Sequence, residues 1–142
     1  MATSTYLSNP KVQVGSTLAG IVEITDNVVS ATLTVTAEAL EDTAFGSTSR
    51  TMTAGLFSNS LTVTVFASYA ASETYSVLSA LLGTKCFVKV NPTVAADGAT
   101  NPGFILSDTY LSSIPVINAS LGELSQWDIE FQGGTYSVDT TV

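Results

Sequence analysis

Apolar and polar residues alternate with a period of two through most of this chain, and no other feature constrains its fold as strongly. Successive side chains of an extended strand point to opposite faces, so such alternation describes strands with one side buried and one side wet. Residues 126–132 are the clearest case: Trp127, Ile129 and Phe131 share one face, while Gln126, Asp128, Glu130 and Gln132 share the other. Residues 30–39 set Leu33, Val35 and Ala37 against Thr32, Thr34 and Thr36, and residues 61–65 repeat that design. Threonine is β-branched, so a face built of it still favours a strand. Residues 11–14 and 20–25 read as further strands, the second with Val22 and Ile24 opposite Ile21 and Glu23. Residues 85–90 place Cys86, Val88 and Val90 opposite Lys85, Phe87 and Lys89. Residues 104–117 hold one or two more strands, with Pro115 marking an edge or a bulge. Gly133-Gly134 and a polar tail close the chain.

Two segments break the pattern. Residues 40–60 are rich in Ser, Thr and Gly and have little periodicity, which predicts a long loop. Loops of that length are uncommon in small domains and are usually functional or mobile. Residues 72–82 predict a helix, with Ser72 as cap, Glu73 in the first turn, an apolar stripe of Tyr75, Leu78 and Leu82, and Gly83 as the left-handed stop. So short a helix is unstable alone and has to pack on a sheet. Six to eight strands with one short flanking α-helix make a mainly β fold, a β-sandwich or barrel. No repeat or linker divides the sequence, so residues 1–142 are expected to form a single domain.

Charge then narrows the function. The chain has 12 acidic residues, 4 basic ones and no histidine, for a net charge of −8. Four cations cannot neutralise enough phosphates to bind a nucleic-acid backbone. Without imidazole there is no Ser-His-Asp triad and no histidine metal ligand. The single cysteine, Cys86, has no partner for an intrachain disulfide. Mean hydropathy is +0.37, yet the longest apolar-rich stretch, residues 77–82, falls far short of the ~20 residues of a membrane helix. Residues 1–6 have neither a basic nor an apolar region, so no secretory signal is expected. Uncharged polar residues have to cover the surface, and 18 Ser and 21 Thr supply it. A sparsely charged surface of this kind suits a subunit that hides area in an assembly. An ordinary β domain with a threonine-rich face is the alternative.

No constellation of residues points to catalysis, to a metal or to a cofactor. Cys86 alternates with valines mid-strand and reads as a buried structural thiol. Glu41 and Asp42 are adjacent, so on a strand they point to opposite faces and form no acid/base pair. Asp128 and Glu130 share a strand face at a spacing of ~7 Å, but no aromatic sugar platform surrounds them. Asn118-Ala119-Ser120 matches a glycosylation sequon that the composition gives no reason to read further.

The order of several short motifs carries a resemblance. Residues 43–50 read T-A-F-G-S-T-S-R, residues 55–60 read G-L-F-S-N-S, and a strand follows. Tyr69-Ala70-Ala71-Ser72 opens the helix, and Leu81-Leu82-Gly83-Thr84 closes it. A strand ending at Asn91-Pro92, a turn with Ala99-Thr100-Asn101-Pro102 and a late Leu121-Gly122-Glu123-Leu124 come after. Over roughly residues 30–132 this resembles the major tail tube proteins of long-tailed, siphovirus-type bacteriophages. The N-terminal part is generic, and Asn59 and Ser60 stand where an Asp-Gly pair is commoner.

The resemblance implies a structural virion protein, not an enzyme, made in the bacterial host cytoplasm and carried in the phage tail. Six copies would form a ring and rings would stack into a tube, their sheets joined in a continuous inner barrel through which DNA passes as cargo. Tape measure, tail terminator and tail tip proteins would be its other partners, with no membrane binding by the chain itself. The segment Glu41 to Leu56, with Asp42, Phe45, Gly46 and Arg50, would be an intersubunit contact, flexible in the monomer and ordered in the tube. Arg50, its one cation, is expected to meet a carboxylate across an interface, against the plainer reading of an exposed arginine worth little. Glu23, Asp128 and Glu130, each opposite an apolar strand face, are the acids expected to face the lumen. An acidic lining repels DNA weakly and lets it slide. A capsid decoration or head–tail connector protein of related fold is a second reading. A carbohydrate-binding or adhesion β-sandwich is a third, although Trp127 lies on an apolar face.

Overall fold

The computed structural model describes residues 10–141; the absence of a signal expected over residues 1–6 lies outside them. Eight strands form one antiparallel sheet: β1 (Lys11–Gly15), β2 (Val22–Glu23), β3 (Val28–Glu41), β4 (Met52–Phe66), β5 (Lys85–Asn91), β6 (Gly103–Leu111), β7 (Gln126–Gln132) and β8 (Thr135–Asp139). The spatial order is β2-β1-β5-β6-β7-β4-β3, and β8 joins the edge of β6. The sheet divides at β6. Its first half pairs with β8, Gly103 opposite Asp139 through Ser107 opposite Thr135, while Tyr110 and Leu111 pair with Gln132 and Phe131 of β7. The two parts of the sheet thus face each other across one core, giving the sandwich expected.

That core is the alternation made physical. Trp127, Ile129 and Phe131 of β7 and Leu61, Val63 and Val65 of β4 are all buried and meet Val12, Val14, Val88, Leu106 and Leu111 from the other half. β7 alternates between exposed and buried along its whole length, as its sequence requires. Burial of each such side chain contributes roughly 1.5–3 kcal/mol. Cys86 is buried beside them, its Sγ 3.4 Å from the Thr109 carbonyl, and loss of water raises its thiol pKa to about 11.

The helix α1 (Thr74–Leu81) begins two residues later than its sequence suggests. Ser72 adopts φ 63 in a preceding turn and so cannot cap it. Thr74 does the local work instead, accepting from the Ser68 N–H at 2.8 Å and donating to the Phe66 carbonyl at 3.1 Å. Glu73 turns its carboxylate to the Asn27 amide rather than to the helix N-terminus. Leu78 and Leu81 are the buried pair, and Leu82, expected on the stripe, is exposed. Gly83 does stop the helix at φ 75.

Four strand expectations are corrected. The segment 20–25 yields only the two residues of β2, because short 3-10 turns at Leu18–Gly20 and Thr25–Asn27 take up the rest. β6 ends at Leu111, so Pro115 lies in the following connection and marks neither an edge nor a bulge. The polar tail contains β8, whose outer half of the sandwich is thin enough to leave Tyr136 and Val138 exposed. Most importantly, residues 40–60 are not a long loop. β3 runs on to Glu41 and β4 starts at Met52, with Ala39 opposite Ala54 and Glu41 opposite Met52. A bulge between the pairs Ala37–Phe57 and Ala39–Ala54 sets Gly55 and Leu56 against Glu38, and with water on both faces the ribbon has no regular alternation to show in the sequence.

Candidate functional site

Two surfaces hold the residues expected to act: a protruding ribbon and a polar sheet face. β7 pairs with β4 only from Ser60 to Phe66, and Asn59 bonds the Gly133-Gly134 corner, so residues 52–58 of β4 have β3 alone as neighbour. Seven residues at ~3.4 Å each carry this two-stranded ribbon about 24 Å beyond the body. It is tied at its tip. The Asp42 N–H donates to the Thr51 carbonyl at 3.0 Å, Thr51 Oγ1 donates to Asp42 Oδ1 at 2.6 Å, and the Thr51 N–H donates to Thr43 Oγ1 at 2.9 Å. Gly46 takes φ 88 at the turn, a left-handed conformation that a side chain would strain.

All six residues expected at an interface fall on this ribbon: Glu41 and Leu56 within its strands, and Asp42, Phe45, Gly46 and Arg50 in the turn between them. Phe45 is completely exposed, and Leu40, Met52, Leu56 and Phe57 are exposed as well. Within the chain the nearest carboxylate to Arg50 is that of Glu41, 3.9 Å from Nε, with both side chains largely in water. A pair so exposed contributes little on its own. Sequence reasoning missed Met52 and Phe57; their apolar character was the available signal.

The second surface is the outer face of β3, β4 and β7. The register sets Thr32 beside Thr62 beside Glu130, Ser30 beside Thr64 beside Asp128, and Thr34 beside Ser60 beside Gln132. Every one of these positions is polar, and none is a cation. Thr64 Oγ1 donates to Asp128 Oδ1 at 2.7 Å, so the wall is bonded within itself. Asp128 and Glu130 therefore stand together, two residues apart on β7. Glu23 does not join them: it lies on the outer side of β2, with β1, β5 and β6 between β2 and β7.

Elsewhere the polar groups are structural. Lys89 is largely buried and bonds Asp97, with Asp139 4.0 Å away. The Lys89 hydrogen bond, followed by that from Asn91, holds the Asp97 carboxyl below its usual value despite partial burial. Asn101 donates to the carbonyls of Ala95 and Ala96 and accepts from the Thr93 N–H, closing the β5–β6 loop. Among the described residues no three His, Cys, Asp or Glu side chains group as metal ligands, and no helix is long and apolar enough to cross a membrane.

The fold has solved counterparts. It matches the SPP1 tail tube at a TM-score of 0.74 and 11% identity, over 94% of this chain and 78% of that one. The PVC extracellular contractile injection system, sheath/tube terminator in the extended state, matches at 0.67 and 12%, over 97% and 98%. The sheath-tube complex of the same system matches at 0.65 and 12%, over 97% and 93%. At these identities the likeness is one of fold. No protein-family model and no curated protein sequence matches the chain.

Proposed function

We propose that this chain is the structural subunit of a phage-type tail tube: a single tail-tube-like domain, residues 1–142, whose copies close into rings of six and stack into a hollow conduit for DNA. The observation that carries this reading is the TM-score of 0.74 to the SPP1 tail tube over 94% of the chain. The two surfaces suit it. A two-stranded ribbon is marginal in water by itself, and one that exposes Phe45, Leu56 and Phe57 gains by being covered. A wall of Ser, Thr, Asp128 and Glu130 without cations suits a lumen through which a polyanion slides. Tape measure, terminator and tip proteins are the partners such a tube needs at its core and ends, and the phage tail is where the protein resides. The polymer is inert: the chain carries out no reaction.

Negative-stain microscopy of the purified protein at high concentration tests the proposal. Long hollow tubes of uniform width are expected. A chain that stays monomeric at millimolar concentration, or forms small oligomers that decorate emptied heads, overturns it.

A further inference from the structure

Both ends of the β4–β7 ladder carry exposed apolar side chains, and the ends differ in character. At one end is the ribbon tip with Phe45 and Arg50; Arg50 is the only cation between Lys11 and Lys85. At the other end, where Phe66 pairs with Gln126, lies the connection from β6 to β7. Its Ile117, Leu121 and Leu124 are 77%, 106% and 78% exposed, so nothing among the described residues covers them. This connection borders a shallow groove of about 550 Å³ whose walls include Phe66, Leu124, Glu123 and Asp128. Glu123 is the only charged residue between Thr109 and Trp127. Two carboxylates beside two apolar side chains are what a tip of one guanidinium and one phenyl ring requires.

We propose that the ribbon tip of one copy seats in this groove of another, Phe45 against Phe66 and Leu124, and Arg50 on Glu123 with Asp128 at the rim. The inference rests on the tube reading and adds the acceptor. Self-pairing is disfavoured at either end. Tip on tip sets Glu38, Glu41 and Asp42 against their own copies, and groove on groove sets Glu123 near Glu123. Tip into groove is instead a head-to-tail contact between two different surfaces at opposite ends of β4, the kind of contact that passes from copy to copy. Arg50 exchanges a loose partner, Glu41 at 3.9 Å, for two carboxylates in a partly enclosed site.

The double variant Phe45→Cys/Leu124→Cys tests the contact under conditions where the wild type forms tubes. Both sites are exposed, so folding is unaffected, and buried Cys86 stays out of exchange. Mild oxidation is expected to give a ladder of disulfide-linked oligomers with the linkage mapped between positions 45 and 124 of different copies. In parallel, Arg50→Glu is expected to lower the assembled fraction about tenfold, and Glu123→Arg in the same chain to restore it. Wild-type tubes with neither a 45–124 linkage nor restoration overturn the acceptor and leave the tube standing. A wild type that never assembles removes both.

Discussion

Lys89 shows how one side chain holds three pieces of the molecule. It sits on β5, bonds Asp97 in the β5–β6 loop and comes within 4.0 Å of Asp139 at the end of β8. The Asp97 carboxyl lies below its ordinary 3.8 chiefly through the Lys89 hydrogen bond. Asp139 is lowered too, first by the Thr141 hydroxyl and then by the Thr141 N–H. A folded value below the unfolded one adds stability that is complete above the unfolded value and is lost as pH falls through the folded one. The melting temperature is therefore expected to fall as pH drops below about 4, and Asp97→Asn is expected to flatten that part of the profile. Melting temperatures of the two proteins between pH 2 and pH 6 check this; an unchanged slope in the variant removes Asp97 from the account. Sequence alternation set Lys89 on the face of β5 opposite Cys86 and Val88, the two that are buried in the core. That an outward lysine is nonetheless nearly covered depends on a loop folding back over it, which no local pattern records.

Among the elements, the β7–β8 corner and the β3–β4 ribbon mark where sequence reading stopped. β7 was legible to the residue because one face is fully buried and the other fully wet. β8 was not, because Tyr136 and Val138 point to a side that stays partly open, so burial wrote no contrast there. The corner itself depends on Gly133 and Gly134 at φ 73 and 92, opposite Asp108 at φ 57, and Asn59 pins it by donating to the Gly134 carbonyl at 2.9 Å. A Cβ on Gly134 meets the Ser107 carbonyl oxygen at 2.5 Å. Gly134→Ala is expected to cost about 1–3 kcal/mol from backbone strain and close contact together, measured by urea unfolding. Gly46→Ala offers the contrast: its φ of 88 is equally unfavourable, but a Cβ there touches nothing. It is expected to cost only about 1 kcal/mol, and to do so at a ribbon tip outside the core. The ribbon read as a loop because a two-stranded element wet on both faces has no reason to alternate. The six residues named for an interface all lie on that ribbon. Their oddness in composition survived even though their conformation was misjudged. If the ribbon serves assembly alone, replacing residues 43–50 with a two-residue Asn-Gly turn should leave the melting temperature within a few degrees of the wild type and abolish tubes in the microscope. A large loss of stability would make the ribbon part of the fold.

For the whole molecule the decisive quantity is the sign of the charge on the polar wall. In the proposed ring of six copies, −8 per copy would sum to −48. Only the charges that face the passing DNA within a Debye length, about 8 Å at physiological salt, act on it. Asp128 and Glu130 are the acids of the β3–β4–β7 face, and their cross-strand neighbours are Thr64, Ser30, Thr62 and Thr32. Hydroxyls and amides bond water readily and hold no phosphate by charge, so in the proposed conduit such a wall would lubricate, and its two carboxylates would keep the polyanion off the surface. Asp128→Lys/Glu130→Lys reverses that without touching the buried face of β7, since both side chains point outward. The variant is expected to fold with the wild-type melting temperature to within a few degrees. Because Asp128 also borders the groove proposed for the ribbon tip, Glu130→Lys alone is the cleaner probe of the lumen, at one new cation per copy. Tubes of the single variant, incubated with short duplex DNA and pelleted, should retain DNA at 50 mM salt and release most of it by 200 mM, as counterion release dictates. Wild-type tubes should retain none at either concentration. Retention that is equal in both proteins would place Glu130 on the outside of the tube, and would turn the wall of β3, β4 and β7 away from the DNA.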